Sequence, residues 1–148
     1  MSTLIHQRVK AARKGENPTV ICKMSSGWAV LGDRQFIPGY TLLLPDPVIV
    51  DLNGLKDLER TNFLKDMALI GDALLELTNS YRINYEILGN SEPALHAHIF
   101  PRYMNEPEEF RKLLVWMYDK EKRTSRPFDL ERDRKLMKKI ANFVLDKL

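Results

Sequence analysis

The sequence predicts an α+β protein, an antiparallel sheet with helices grouped on it. Three observations carry this. Two apolar runs, "TVICKM" (19–24) and "WAVLG" (28–32), flank Ser25, Ser26 and Gly27, the pattern of a hairpin. Across residues 54–81, Phe63, Met67, Ile70, Leu74 and Leu77 recur at steps of three and four, one apolar face of a long helix. "INYEIL" (83–88) and "LHAHIF" (95–100) lie either side of a short turn, "GNSEP", and add two strands.

The remaining elements follow in order. Residues 3–14 read as a short amphipathic helix, with Ile5, Val9 and Ala12 on one face and Gly15, Asn17 and Pro18 as its stop. "DRQFIPG" (33–39) is a polar link ending in a Pro-Gly turn, and "YTLLLP" (40–45) is a third strand closed by Pro45 and Pro47. Beyond Pro107 two helical stretches are expected, about 108–119 and 130–147. Asp129 is placed to cap the second, with Leu136, Ile140, Phe143 and Val144 facing inward. No linker splits the chain, so residues 1–148 are expected to form a single domain.

Composition narrows the class. The chain is 44% hydrophobic and 29% charged, ordinary for a soluble globular protein. The net charge of +3 comes from 23 basic and 20 acidic residues, too mixed to argue for a nucleic-acid partner. A single cysteine, Cys22, rules out an internal disulfide, and its apolar run reads as a buried, inert thiol. The N-terminus lacks the continuous apolar block of a signal peptide, and no stretch has the apolar length of a membrane span. A cytoplasmic protein with no membrane partner is the expectation.

Chemistry concentrates in "GNSEPALHAHIFPRY" (89–103), which holds two of the three histidines. On a strand, positions 94, 96 and 98 share one face, which sets the Cα atoms of His96 and His98 about 6.5–7 Å apart. Leu95, Ala97 and Ile99 then face the core. Three readings are open. The pair can be two hydrogen-bonded histidines on a half-exposed strand. It can be half of a metal site, although His6 is the only other histidine and no carboxylate falls at a familiar ligand offset. Or one imidazole attacks phosphorus while the other donates to the phosphate or the leaving group. The third reading also wants neutral donors nearby. Gly89 permits close backbone approach, while Asn90 and Ser91 add an amide and a hydroxyl.

"GNSEPALHAHIFPR" resembles the signature of the histidine triad (HIT) superfamily of nucleotide hydrolases and transferases: Gly-Gln-Ser/Thr, two spacers, His-x-His-x-His, two apolar residues and often Pro-Arg. Gly89-Asn90-Ser91 falls on the first element, His96 on the middle histidine and His98 on the last. "IFPR" (99–102) falls on the apolar pair with Pro-Arg. Upstream, "PGYTLLLPDPVIVDLNGL" (38–55) is similar to the family's Pro-Gly-His strand and the lead-in to its long helix. The similarity covers about 19–106 and leaves 107–148 as a helical extension. Two departures stand out: Asn90 replaces glutamine, and Ala94 replaces the first histidine. In the family, the backbone carbonyl of that first position holds the nucleophile's other ring nitrogen, and alanine keeps a carbonyl.

The resemblance implies a HIT-like sheet, His96 as nucleophile and His98 as its helper. It further implies a hydrolase acting on nucleoside phosphoanhydrides, such as dinucleoside polyphosphates, or on phosphoramidates, through a nucleotidyl-histidine. Gly89, Asn90 and Ser91 would surround the phosphate, and Asp33 would accept from the ribose. The strand from Trp28 to Leu31 would wall the base, and Arg102 would either steer polyphosphate or lie solvated. No cofactor or protein-bound metal is implied; a divalent ion enters only with a polyphosphate substrate. A homodimer follows by analogy. A nucleotide-binding module without catalysis is the alternative that Ala94 favours. A cupin-like metal hydrolase is a weaker rival, because Pro101, Arg102 and Tyr103 stand where a glutamate is wanted.

Overall fold

The computed structural model describes residues 2–148. Its order is α1 (Leu4–Arg13), β1 (Val20–Lys23), β2 (Gly27–Leu31), β3 (Thr41–Pro45), α2 (Asp57–Leu77), β4 (Arg82–Glu86), β5 (Ala97–Arg102), α3 (Glu108–Arg111), α4 (Lys120–Arg123) and α5 (Leu130–Lys147). The five strands form one antiparallel sheet in the order β1-β2-β3-β5-β4. The α+β reading therefore holds. No helix among the described residues is long and apolar enough to cross a membrane.

One face of the sheet carries the main core. Ala29, Leu43, Ala97 and Ile99 meet Phe63, Ile70 and Leu74 of α2 and Ile140 and Val144 of α5. The apolar stripes of both helices do what their spacing predicts, and Asp129 caps α5 by accepting from the Arg132 amide at 3.0 Å. Buried Asp66 of α2 pins the β1–β2 turn: it accepts from the Ser26 amide at 2.8 Å and from the Ser25 and Ser26 hydroxyls. Cys22 lies in this core, and burial pushes its thiol up to about 11, which leaves it protonated and inert at neutral pH.

The opposite face carries two smaller clusters. Ile5 and Val9 of α1 pack on Val30, Leu44 and Ala94. Ile37, Tyr40 and Phe100 pack with Val115 and Tyr118 from the C-terminal segment. Between them lies a cleft lined by His96 and His98.

The expected helix over 108–119 is not continuous. It breaks into α3 and a 3-10 turn (Val115–Met117), and α4 begins only beyond it, at Lys120. Arg102 explains the break. Its guanidinium donates to the backbone carbonyls of Phe110, Arg111 and Leu113, so the last of these is turned to a side chain and not along a helix axis.

Candidate active site

β5 extends from Ala97 to Arg102, with the expected alternation running through its lead-in. Leu95, Ala97 and Ile99 enter the main core, while His96 and His98 face the cleft. Their ring centroids are 4.8 Å apart and the rings cross at 75°.

His96 Nδ1 lies 2.6 Å from the carbonyl oxygen of Ala94. A carbonyl only accepts, so Nδ1 carries a proton, and in the neutral ring Nε2 keeps its lone pair. The chain around that carbonyl is itself fixed: the Ala94 amide donates to the Glu92 carbonyl and the Leu95 amide to the Ile49 carbonyl, both at 2.7 Å. With alanine at 94, the backbone carbonyl alone thus orients the His96 ring.

His98 Nδ1 lies 2.6 Å from the Tyr40 hydroxyl. Burial holds the Tyr40 phenol well above its usual range, so the hydroxyl keeps its proton. If Nδ1 were the donor, that buried hydroxyl proton would have no acceptor; the hydroxyl therefore donates to Nδ1. His98 is then neutral with its proton on Nε2, consistent with burial and the neighbouring His96 lowering its pKa to about 4. One imidazole offers a lone pair and the other offers N–H.

Tyr40 is held to this task by its surroundings. Gln35, fully buried, donates to the carbonyls of Gly32 and Tyr40 and accepts from the Gly39 amide, all at 2.9 Å. The Tyr40 ring stacks on Phe100 at 4.1 Å and lies flat on Gly32, where any Cβ would overlap it.

Two clefts meet at His96. The larger, about 360 Å³, lies at the small end of ligand pockets and has a mainly aliphatic wall that includes Val30, Leu31, Leu42 and Leu44. The smaller, about 170 Å³, runs along Gly89, Asn90, Ala94 and His96. Gly89 has φ +90°, which favours glycine and turns the loop around this cleft.

The structure brings together most of the predicted site. Asp33 lines the larger cleft, but its carboxylate is already paired with Arg8 of α1 at 2.8 and 2.6 Å. Gly89 and Asn90 line the smaller cleft; Ser91 is exposed and lines neither.

Two expectations need correction. Arg102 is neither solvated nor aimed at a phosphate. It is 2% exposed and spends its nitrogens on Glu106, Asn84 and three backbone carbonyls, because Glu106 supplies a buried countercharge at 2.9 Å. Trp28 does not wall the cleft. Its indole donates to Asp46 at 3.0 Å beside the α1 cluster.

Sequence reasoning missed Tyr40, Trp116, Arg8 and Arg123, all of which line the larger cleft. Tyr40 carried a signal, since it stands on the histidine of the Pro-Gly-His pattern. The other three lie on chain segments outside the motif, and nothing local marks them. Among the described residues, no group of three or more His, Cys, Asp or Glu side chains is arranged to hold a metal ion.

Comparison with known proteins fits this geometry. No curated protein matches the chain. Several solved structures do. A histidine triad protein from Marinobacter aquaeolei VT8 is 19% identical over 99% of this chain and 98% of its own, with a TM-score of 0.75. A HIT protein from Sinorhizobium meliloti 1021 is 23% identical over 87% and 88%, with a TM-score of 0.68. A zinc-bound histidine triad family protein from Mycobacterium smegmatis is 20% identical over 93% and 94%, with a TM-score of 0.66. These likenesses establish the shared fold. The family model described as "HIT domain" matches residues 14–105, well over half of the chain, and includes both cleft-facing histidines: the chain belongs to the HIT family.

Proposed function

We propose that the chain is a nucleotide hydrolase that cleaves dinucleoside polyphosphates or nucleoside phosphoramidates at the α-phosphorus. The observation that carries this reading is the 2.6 Å bond from His96 Nδ1 to the Ala94 carbonyl, which in the neutral ring leaves the Nε2 lone pair free where the two clefts meet. His96 Nε2 attacks the α-phosphorus and forms a P–N bond. The bond from phosphorus to the leaving oxygen or nitrogen breaks, and the leaving group takes its electron pair; a polyphosphate leaves as its anion, and a leaving nitrogen takes a proton from solvent and departs as the neutral amine. Water then attacks the same phosphorus, breaks the P–N bond and releases the mononucleotide. His98 donates its Nε2–H to a phosphate oxygen as charge develops there, and Asn90 with the Gly89 backbone offers further neutral donors. Asp33 accepts from the ribose once Arg8 releases it.

Rapid quenching at neutral pH, with a dinucleoside tetraphosphate labelled at the α-phosphorus, tests the reading. The wild type should carry protein-bound label in the first turnover, and His96→Ala should not. If the wild type carries no label and turns over no faster than His96→Ala, His96 is not the nucleophile. A second reading, a binding module without turnover, draws on the alanine at 94; calorimetric AMP binding with no product release would favour it. A cytoplasmic homodimer remains part of the proposal, and light scattering on the purified chain reads its mass directly.

A further inference from the structure

The chain beyond the family match carries a feature that the proposed chemistry does not use. Trp116 sits in the 3-10 turn between two anchors, buried Val115 and Tyr118, whose hydroxyl donates to Glu106 at 2.6 Å. Arg102 grips the carbonyls of Phe110, Arg111 and Leu113 just upstream. The indole N–H donates to Glu86 on β4. The ring meets His98 edge-on at 5.1 Å and Phe100 at 5.4 Å, and it lines the larger cleft. The indole is thus fixed in place, yet it stays exposed beside exposed Leu114 and Met117.

Its side of the cleft is set by the sheet. Val30, Leu42 and Leu44 belong to β2 and β3, with Asp33 in the loop that joins them. Trp116 reaches over β5 to β4, at the opposite edge. His96 and His98 stand between, so a nucleotide held against β2 and β3 presents its far side to Trp116. Arg123 lines the same cleft; its Nε donates to the Tyr118 carbonyl at 3.0 Å, and its terminal nitrogens meet no partner among the described residues.

We infer that Trp116 and Arg123 form a leaving-group subsite for a nucleoside polyphosphate with a second planar base. The inference rests on the proposed reaction and selects among its leaving groups. A rigid exposed indole is a platform on which a base stacks, and a free guanidinium pairs with phosphate. Ammonia leaving from a phosphoramidate uses neither.

The test compares diadenosine tetraphosphate with adenosine 5′-phosphoramidate, which share the transferred group. Trp116→Ala should lower kcat/KM for the tetraphosphate by about tenfold or more, the equivalent of one lost base stack, and change the phosphoramidate by less than about threefold. Trp116→Phe should restore most of the loss. An unchanged ratio between the substrates overturns the subsite. A second measurement does not depend on those variants. The chain has two tryptophans, so Trp28→Phe leaves Trp116 as the sole reporter. A non-hydrolysable diadenosine tetraphosphate should quench it and AMP should not; equal quenching by both also overturns the subsite. If the wild type neither turns over either substrate nor binds AMP by calorimetry, the proposed reaction itself fails and the subsite falls with it.

Discussion

The Tyr40 hydroxyl and His98 Nδ1 are 2.6 Å apart, with a phenol standing on the histidine of the family's Pro-Gly-His pattern. The phenol keeps its proton and meets no other acceptor among the described residues, so it donates to Nδ1 and fixes which nitrogen of His98 faces the cleft with hydrogen. Tyr40→Phe should lower kcat and kcat/KM together by about tenfold, the signature of an interaction used only in the transition state. Tyr40→His, which can also donate, should recover part of the rate. Steady-state kinetics on the three proteins checks this, and a change confined to KM would place Tyr40 in ground-state binding instead.

Acid should weaken the fold through His98. The unfolded imidazole takes up a proton near pH 6.5, while burial and His96 delay that step in the folded chain to about pH 4. Above the window both states are neutral and the term vanishes. As pH falls through it, the unfolded state binds the proton first, so stability is lost, on the order of 3 kcal/mol in all, and levels off below. Urea unfolding from neutral pH down to about 4 should show this slope in the wild type and a flatter one in His98→Gln.

Placing a histidine at position 94 should harm the protein. Ala94 is completely buried and packs in the cluster formed by Ile5, Val9, Val30 and Leu44, so α1 occupies the space a larger side chain needs. Ala94→His should cost about 1–3 kcal/mol by overpacking and give no gain in kcat. Denaturant midpoints beside initial rates decide it. A faster, equally stable variant would show that α1 yields readily.

In the proposed reaction Asp33 accepts from the ribose, and its ion pair with Arg8 then competes with that contact. Their ion pair is partly solvated on both sides, so Arg8→Ala should change stability by less than about 1 kcal/mol. It should tighten AMP binding by calorimetry, because Asp33 is freed to accept, whereas Asp33→Ala should weaken it. Weaker binding in Arg8→Ala would make the guanidinium itself the nucleotide contact.

The legible parts were those written in local periodicity. The stripe of α2, the capped α5, the Ser-Ser-Gly hairpin and the alternation through His96 and His98 all depend on near neighbours in sequence. The carbonyl of Ala94 was legible too, because a backbone group survives any substitution. What escaped depends on distant partners. Arg102 reads as a strand-end charge until Glu106, Asn84 and the carbonyls of the following segment close around it. Trp28 and Trp116 have equal claims as isolated aromatics, and only the fold turns one to Asp46 and the other to the cleft. The same arginine also undoes the expected helix over 108–119, since side-chain capture of carbonyls competes with the helical ladder.

The grip of Arg102 on the chain that follows it has a consequence for where this protein can be cut. The family match stops at residue 105, one position short of the carboxylate that neutralises the guanidinium and several short of the carbonyls it holds. A fragment ending there would leave the Arg102 guanidinium, at the end of β5, without its countercharge and without the carbonyls it holds. It would also uncover the sheet face closed by Ile140 and Val144, both fully buried. The stretch that identifies the family therefore omits chain that packs on its own sheet, and that chain is the mortar between recognised bricks.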